Sequence, residues 1–124
     1  MARLDKITIG AYIEGAMPHG RRCDILCSTG SIDLPIEVKC QWHADLWTAA
    51  ATQLKNYSEA YRSEGRGIYL VLWFGANEKK NPVKSLSGEI PTSARELKMM
   101  LKKTYAGNMS KKIRIKVLDV SKTV

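Results

Sequence analysis

Arg21-Arg22-Cys23-Asp24-Ile25-Leu26 and Leu34-Pro35-Ile36-Glu37-Val38-Lys39-Cys40, with twelve residues between Asp24 and Glu37, are the two stretches whose reading decides the fold. Both are rich in Ile, Leu, Val and Cys, and they read as short strands over residues 22–28 and 34–40. Ser28-Thr29-Gly30-Ser31 between them is a turn cluster, so the two strands should pair as a hairpin. Side chains on a strand alternate faces with period two. Glu37 and Lys39 therefore share one face, and Ile36, Val38 and Cys40 are expected to enter a core on the other. Hairpin pairing brings Asp24 beside Glu37. Buried charges are costly unless they are paired or bind a metal, so two acids and a lysine in apolar strands call for an explanation. Converging carboxylates that hold a hard, oxygen-seeking cation such as magnesium supply one.

Outward from this hairpin, the chain alternates helical and strand patterns. Leu4, Ile7, Ala11 and Glu14 follow three- and four-residue steps, which predicts an amphipathic helix over 3–15, although Ile7 and Ile9 also alternate. Residues 45–63 form a second expected helix, with Asp45 as N-cap and Leu46, Ala49, Ala50, Gln53, Leu54, Tyr57 and Tyr61 on one face. Ile68-Tyr69-Leu70-Val71-Leu72-Trp73-Phe74 is a continuous apolar strand, expected in mid-sheet with both faces covered. Thr92 or Ser93 caps a third helix, with Glu96 completing a capping box after Ser93, and the helix runs to about Tyr105 before Gly107. Residues 112–120 alternate as a last strand. The expected order is α-β-β-α-β-α-β, an α/β fold with a mixed central sheet flanked by helices.

The chain of 124 residues suits one domain spanning 1–124, and its 44% apolar content suffices for a core. The longest apolar run falls well short of the roughly 20 residues a membrane helix needs, and no signal-peptide core is seen, so a cytoplasmic location without a membrane partner is the expectation. Residues 1–78 carry 8 basic and 9 acidic side chains, residues 79–124 carry 12 and 3. The basic excess is thus confined to the C-terminal third, which suits a polyanion, nucleic acid being the commonest. Lys98, Lys102, Lys103, Lys111, Lys112, Arg114 and Lys116 are the candidate phosphate contacts.

The order Asp24, Glu37-x-Lys39 resembles the PD-(D/E)XK nuclease superfamily, which has the restriction-endonuclease-like fold. Gln53-Leu54-Lys55-Asn56-Tyr57 resembles the Q-x-x-x-Y element carried by its exonuclease-like branch on the helix after the catalytic hairpin. Cys23 stands where the family name has proline. The resemblance implies a metal-dependent nuclease that hydrolyses DNA phosphodiester bonds. Asp24, Glu37 and the Val38 backbone carbonyl would bind magnesium, with manganese able to substitute and Glu14 a further metal-shell carboxylate. Lys39 would position or activate the attacking water, and Gln53 and Tyr57 would support the site or hold the DNA backbone. A role in restriction, repair or defence follows from the family alone. The short chain leaves room for a homodimer or for further domains of a larger protein, and specificity would come from there.

Competing readings remain at several positions. Asp33 is a rival first carboxylate, and Glu37 and Lys39 would also suit the solvent face of an edge strand. Gln41 and His43 fit either a substrate contact or the entry to the helix. Trp42, Trp47 and Trp73 read as core or interface. Cys23, Cys27, Cys40 and His43 imitate zinc spacing, but residues i and i+4 of a strand lie about 13 Å apart, too far to share an ion. A non-catalytic domain of the same fold that binds nucleic acid or protein is the alternative function.

Overall fold

The structure, a computed structural model, describes residues 10–13, 25–29, 31–55, 58, 64–76, 81–107 and 112–121. Among these residues five strands lie side by side in sequence order: β1 (Gly10–Ile13), β2 (Ile25–Thr29), β3 (Ile32–Cys40), β4 (Gly67–Trp73) and β5 (Ile113–Asp119). β2 runs antiparallel to both β1 and β3, whereas β3, β4 and β5 are mutually parallel. Parallel neighbours need crossovers long enough to bring the chain back. The first contains a π-helical segment (Ala50–Leu54), and the second contains helix α1 (Ala94–Tyr105). The architecture is α/β with one mixed sheet.

The expected hairpin forms, with Ile25 opposite Ile36 and Cys27 opposite Leu34. The helix expected over 3–15 does not hold where the structure describes it. Residues 10–13 are strand, with Gly10 opposite Ser28 and Ile13 opposite Ile25; Gly10 is a poor helix residue, and pairing with β2 satisfies the backbone instead. The single helix expected over 45–63 is also revised. Residues 44–49 are a run of turns, followed by the π-helical segment.

The faces of the sheet are the main correction. On β3 the buried residues are Pro35, Glu37 and Lys39, while Ile36, Val38 and Cys40 are only half-buried. Lys39 and Glu37 are thus on the core side, and the apolar set is on the outer face. The same parity runs through β4, where Tyr69, Val71 and Trp73 are buried and Ile68, Leu70 and Leu72 are half-buried. On β5 Ile113 and Ile115 are buried and Arg114 and Lys116 exposed. Period two was read correctly; hydropathy assigned the wrong side because both faces of β3 and β4 carry apolar residues.

The core lies between this face and the segments that cross it. Leu46, Trp47, Ala49, Ala50 and Leu54 meet Tyr69, Val71 and Trp73, and Leu97, Leu101 and Tyr105 of α1 join Ile113 and Ile115. Helix α1 starts as expected. The Ser93 hydroxyl accepts from Glu96 N at 3.0 Å, and Glu96 reaches back to Thr92 N at 3.1 Å. It ends at Tyr105.

Gly67 opens β4 under the π segment. A Cβ there would stand 3.0 Å from Leu54 Cδ1 and 3.5 Å from the Pro35 carbonyl oxygen. Leu54 is fully buried and has nowhere to withdraw. Gly67→Ala is therefore expected to destabilise the fold by about 1–3 kcal/mol, read from the midpoint of urea unfolding. Leu54→Ala in the same chain should relieve part of that overpacking, so the two changes should not add.

Candidate active site around the Glu37 and Lys39 pair

Glu37 and Lys39 sit in the middle strand of the sheet, two residues apart and therefore on one face. The Lys39 Nζ lies 3.0 Å from Glu37 Oε1, and the side chains are 9% and 3% exposed. This rules out the solvent face of an edge strand. A buried pair of this kind seldom adds net stability, because desolvating both ions costs about as much as their attraction returns.

The ladder explains what stands beside the pair. Glu37 is opposite Tyr69 and Lys39 opposite Val71 on β4. Tyr69 is fully buried, and its hydroxyl donates to the Leu46 carbonyl at 2.6 Å. Tyr105, at the end of α1, donates to the same carbonyl at 3.0 Å, and the two rings meet edge to face at 5.9 Å. The Tyr105 oxygen also accepts from Ala50 N at 3.4 Å. A phenol is thus wedged at the start of the helical turn. The turn widens there, and Leu54 N reaches back five residues to the Ala49 carbonyl at 3.0 Å. Insertion of a side chain into the backbone ladder is a recognised origin of such distortions, and π turns are frequent at functional sites. The segment carrying Gln53 is therefore fixed to β4 and α1 by two tyrosines.

Both phenols hold their protons tightly. Burial, then the nearby Tyr105 and Glu37 charges, push Tyr69 far above the ordinary phenol range. Burial pushes Tyr105 up to about 12, partly offset by its hydrogen bonds with Ala50 N–H and Tyr69. Each therefore stabilises the fold fully below the ordinary value of 10.0, and that contribution disappears as pH rises through the folded-state value. Chemical denaturation at pH 9 and pH 12 should show a loss of about 2 kcal/mol from Tyr105 alone, and Tyr105→Phe should remove that share.

At the far end of β3, Gln41 is structural. Its Nε2 donates to the Gly75 carbonyl at 2.8 Å and its Oε1 accepts from Phe74 N at 2.6 Å, tying the end of β3 to the end of β4. His43 opens the following turn: its Nδ1 accepts from Asp45 N at 3.0 Å. Asp45 starts the segment through its backbone carbonyl, which accepts from Thr48 N and Ala49 N. Trp47 and Trp73 are core, Trp47 donating to the Val83 carbonyl at 3.0 Å. Trp42 packs against Phe74 at 4.9 Å, both half-buried.

Of the residues singled out in sequence, Glu37 and Lys39 are brought together, and Gln53 belongs to the π segment that crosses their face of the sheet. Val38 is on the same strand with its side chain on the outer face. Asp24, Tyr57, Glu14 and Lys111 lie outside the described residues. The basic set divides: Lys98, Lys102 and Lys103 are on α1, on the core side of the sheet, whereas Lys112, Arg114 and Lys116 point to the outer side of β5. Asp33 is opposite Ser28, four residues before Glu37, so about 13 Å of strand separates the two acids. Cys27 faces Leu34 and Cys40 faces Leu72, placing them six residues or about 20 Å apart along β3; they do not share a zinc ion. Among the described residues, no group of three or more His, Cys, Asp or Glu side chains converges as a metal cage. None of the described helices is long and apolar enough to cross a membrane.

Sequence reasoning passed over Tyr69 and Tyr105. A signal was present, since a tyrosine inside an apolar strand must find a partner for its hydroxyl. Comparison with known proteins gives one result. No curated protein and no solved structure matches the chain. A family model does match residues 14–76, the stretch that holds Glu37, Lys39 and Gln53, and the chain belongs to that family, described as a domain of unknown function, DUF8371.

Proposed function

We propose that the protein is a metal-dependent nuclease that hydrolyses DNA phosphodiester bonds, with a restriction-endonuclease-like fold. The observation that carries this reading is the buried Glu37–Lys39 pair on the central strand. A hydrophobic pair of equal volume would serve stability as well or better, so function is the better explanation for its presence. The hairpin register supports a second carboxylate. Ile25 faces Ile36, and the neighbours of these two in sequence are Asp24 and Glu37. The donor chemistry fits a hard cation: Glu37 is a carboxylate already oriented by its lysine, and Asp24 and the Val38 carbonyl would complete an oxygen set.

Bound magnesium would supply Lewis-acid polarisation of the phosphoryl oxygen and a lowered water pKa. In this reading Glu37 holds its charge against burial because Lys39 lies within 3.0 Å. The Lys39 ammonium orients the attacking water and balances negative charge growing on the phosphate. In this reading Gln53 and Tyr57 support the site or hold the DNA backbone, as the family resemblance implies.

The test is cleavage of linear, circular and single-stranded DNA, and of RNA, with magnesium, manganese or a chelator. Metal-dependent cutting of DNA is expected, and cutting of the circular form would define an endonuclease. The low exposure of Glu37 favours one second reading, a non-catalytic nucleic-acid-binding domain of the same fold. Salt-sensitive binding that ignores magnesium, without cutting, would support it.

A further inference from the structure

On the outer face of the sheet, opposite the Glu37 and Lys39 side, lies a cleft of about 520 Å³ lined by Leu34, Arg66, Gly67, Ile68, Lys112 and Arg114. Three of its six residues are cations and none is a carboxylate. We propose that this cleft is a second nucleic-acid site that binds the phosphodiester backbone of a strand on the face away from the candidate active site.

The rim is built rather than incidental. Glu64 and Gly65 turn the chain into β4 with φ of 56° and 80°. The Lys112 ammonium donates to the Glu64 carbonyl at 3.1 Å, and Gly67 N donates to the Lys112 carbonyl at 3.4 Å. These bonds join the turn before β4 to the entrance of β5 and hold Arg66 and Lys112 on one rim. Leu34 and Ile68 supply an apolar floor. The cations then continue along a line. Lys112, Arg114 and Lys116 occupy every second position, and all three are exposed. Their spacing along the strand is about 6.6 Å per step. A row of charges matches an extended polyanion, whereas a small anion would use the cleft alone. The planar guanidinium groups of Arg66 and Arg114 suit bidentate phosphate contacts. Charges on an edge strand also discourage sheet-to-sheet aggregation, but that function does not call for Arg66, which belongs to the turn before a central strand.

This inference shares its class of ligand with the proposed function but not the reaction, and its test runs without metal. Binding of a short fluorescein-labelled single-stranded DNA is measured by anisotropy in chelator across a salt series. Wild type is compared with Arg66→Ala/Arg114→Ala and with Lys102→Ala/Lys103→Ala on α1. All four target residues of the two double variants are exposed, and unfolding midpoints verify that each variant is folded. The cleft variant is expected to bind about tenfold or more weakly, with the slope of log K against log salt reduced by about 1.4 for two lost phosphate contacts. The α1 variant should stay within about twofold of wild type. Unchanged binding by the folded cleft variant, or an equal loss in the α1 variant, would overturn the proposal. Displacement of the strand by micromolar inorganic pyrophosphate would also overturn it, in favour of a small polyphosphate ligand. No metal-dependent cleavage by folded wild type, with cleft-dependent binding intact, would sink the nuclease reading and leave this site standing, so the two proposals fail separately.

Discussion

Lys39→Ala is expected to lower the DNA cleavage rate by about 10²–10³-fold and to destabilise the fold by about 3–5 kcal/mol. The two losses have one origin. Lys39 is the cation 3.0 Å from a carboxylate that is 3% exposed. Without it the Glu37 charge remains in a low-dielectric site. The paired replacement Glu37→Gln/Lys39→Met separates the roles. It removes both charges at similar volume, so stability should return to within about 1 kcal/mol of wild type or exceed it, whereas cleavage should stay at background. A pair kept only for the fold would behave differently, since no activity would follow it. Rates come from plasmid nicking and stabilities from urea unfolding of the same preparations.

Leu101→Ala should cost about 2–5 kcal/mol. Leu101 is fully buried at the centre of the face that α1 lays on β5, with Leu97 one turn before and Tyr105 one turn after. The spacing of four places all three on one stripe. The cavity would open next to Tyr105, whose hydroxyl meets Leu46 and Ala50. The effect should therefore extend to the π segment. Amide exchange at Ala50 and Leu54 should quicken more than at the strand residues Tyr69 and Val71, because local opening follows the weaker contacts. Equal quickening throughout would mean that the segment is held by something other than the tyrosine contacts.

These expectations show which parts of the molecule were legible in its sequence. The hairpin was readable because Ser28 to Ser31 breaks two apolar runs of matching length, and the register followed from strand period. The cap at Ser93 was readable because capping chemistry is local. The side of the sheet was not. Ile36, Val38 and Cys40 are as apolar as a core set should be, and only the crossing segment, with Leu46, Trp47 and Leu54, decides which face is covered. The π segment was hidden for a related reason. Its apolar residues recur at helical spacing, and the distortion comes from Tyr105, fifty-five residues away from Ala50. Tertiary contacts of that span leave no trace in a local pattern. The partition of the basic residues between α1 and the outer face of β5 likewise depends on how helix and strand pack, while the charge excess itself was plain from composition.

The candidate site follows the same division. Glu37 and Lys39 were found because a charged pair at period two inside an apolar strand is costly and therefore conspicuous. Tyr69 escaped because it blends into the strand that carries it, and Gln41, singled out as a substrate contact or helix entry, hid its structural role because its two amide bonds bridge strands that are distant in sequence.

The most direct test of the central claim is the initial rate of circular DNA nicking by wild type and Glu37→Gln, with magnesium and with chelator. The account predicts nicking by wild type in magnesium alone, and background rates in the other three conditions. Nicking by Glu37→Gln at the wild-type rate, or no nicking by folded wild type in magnesium, would contradict it.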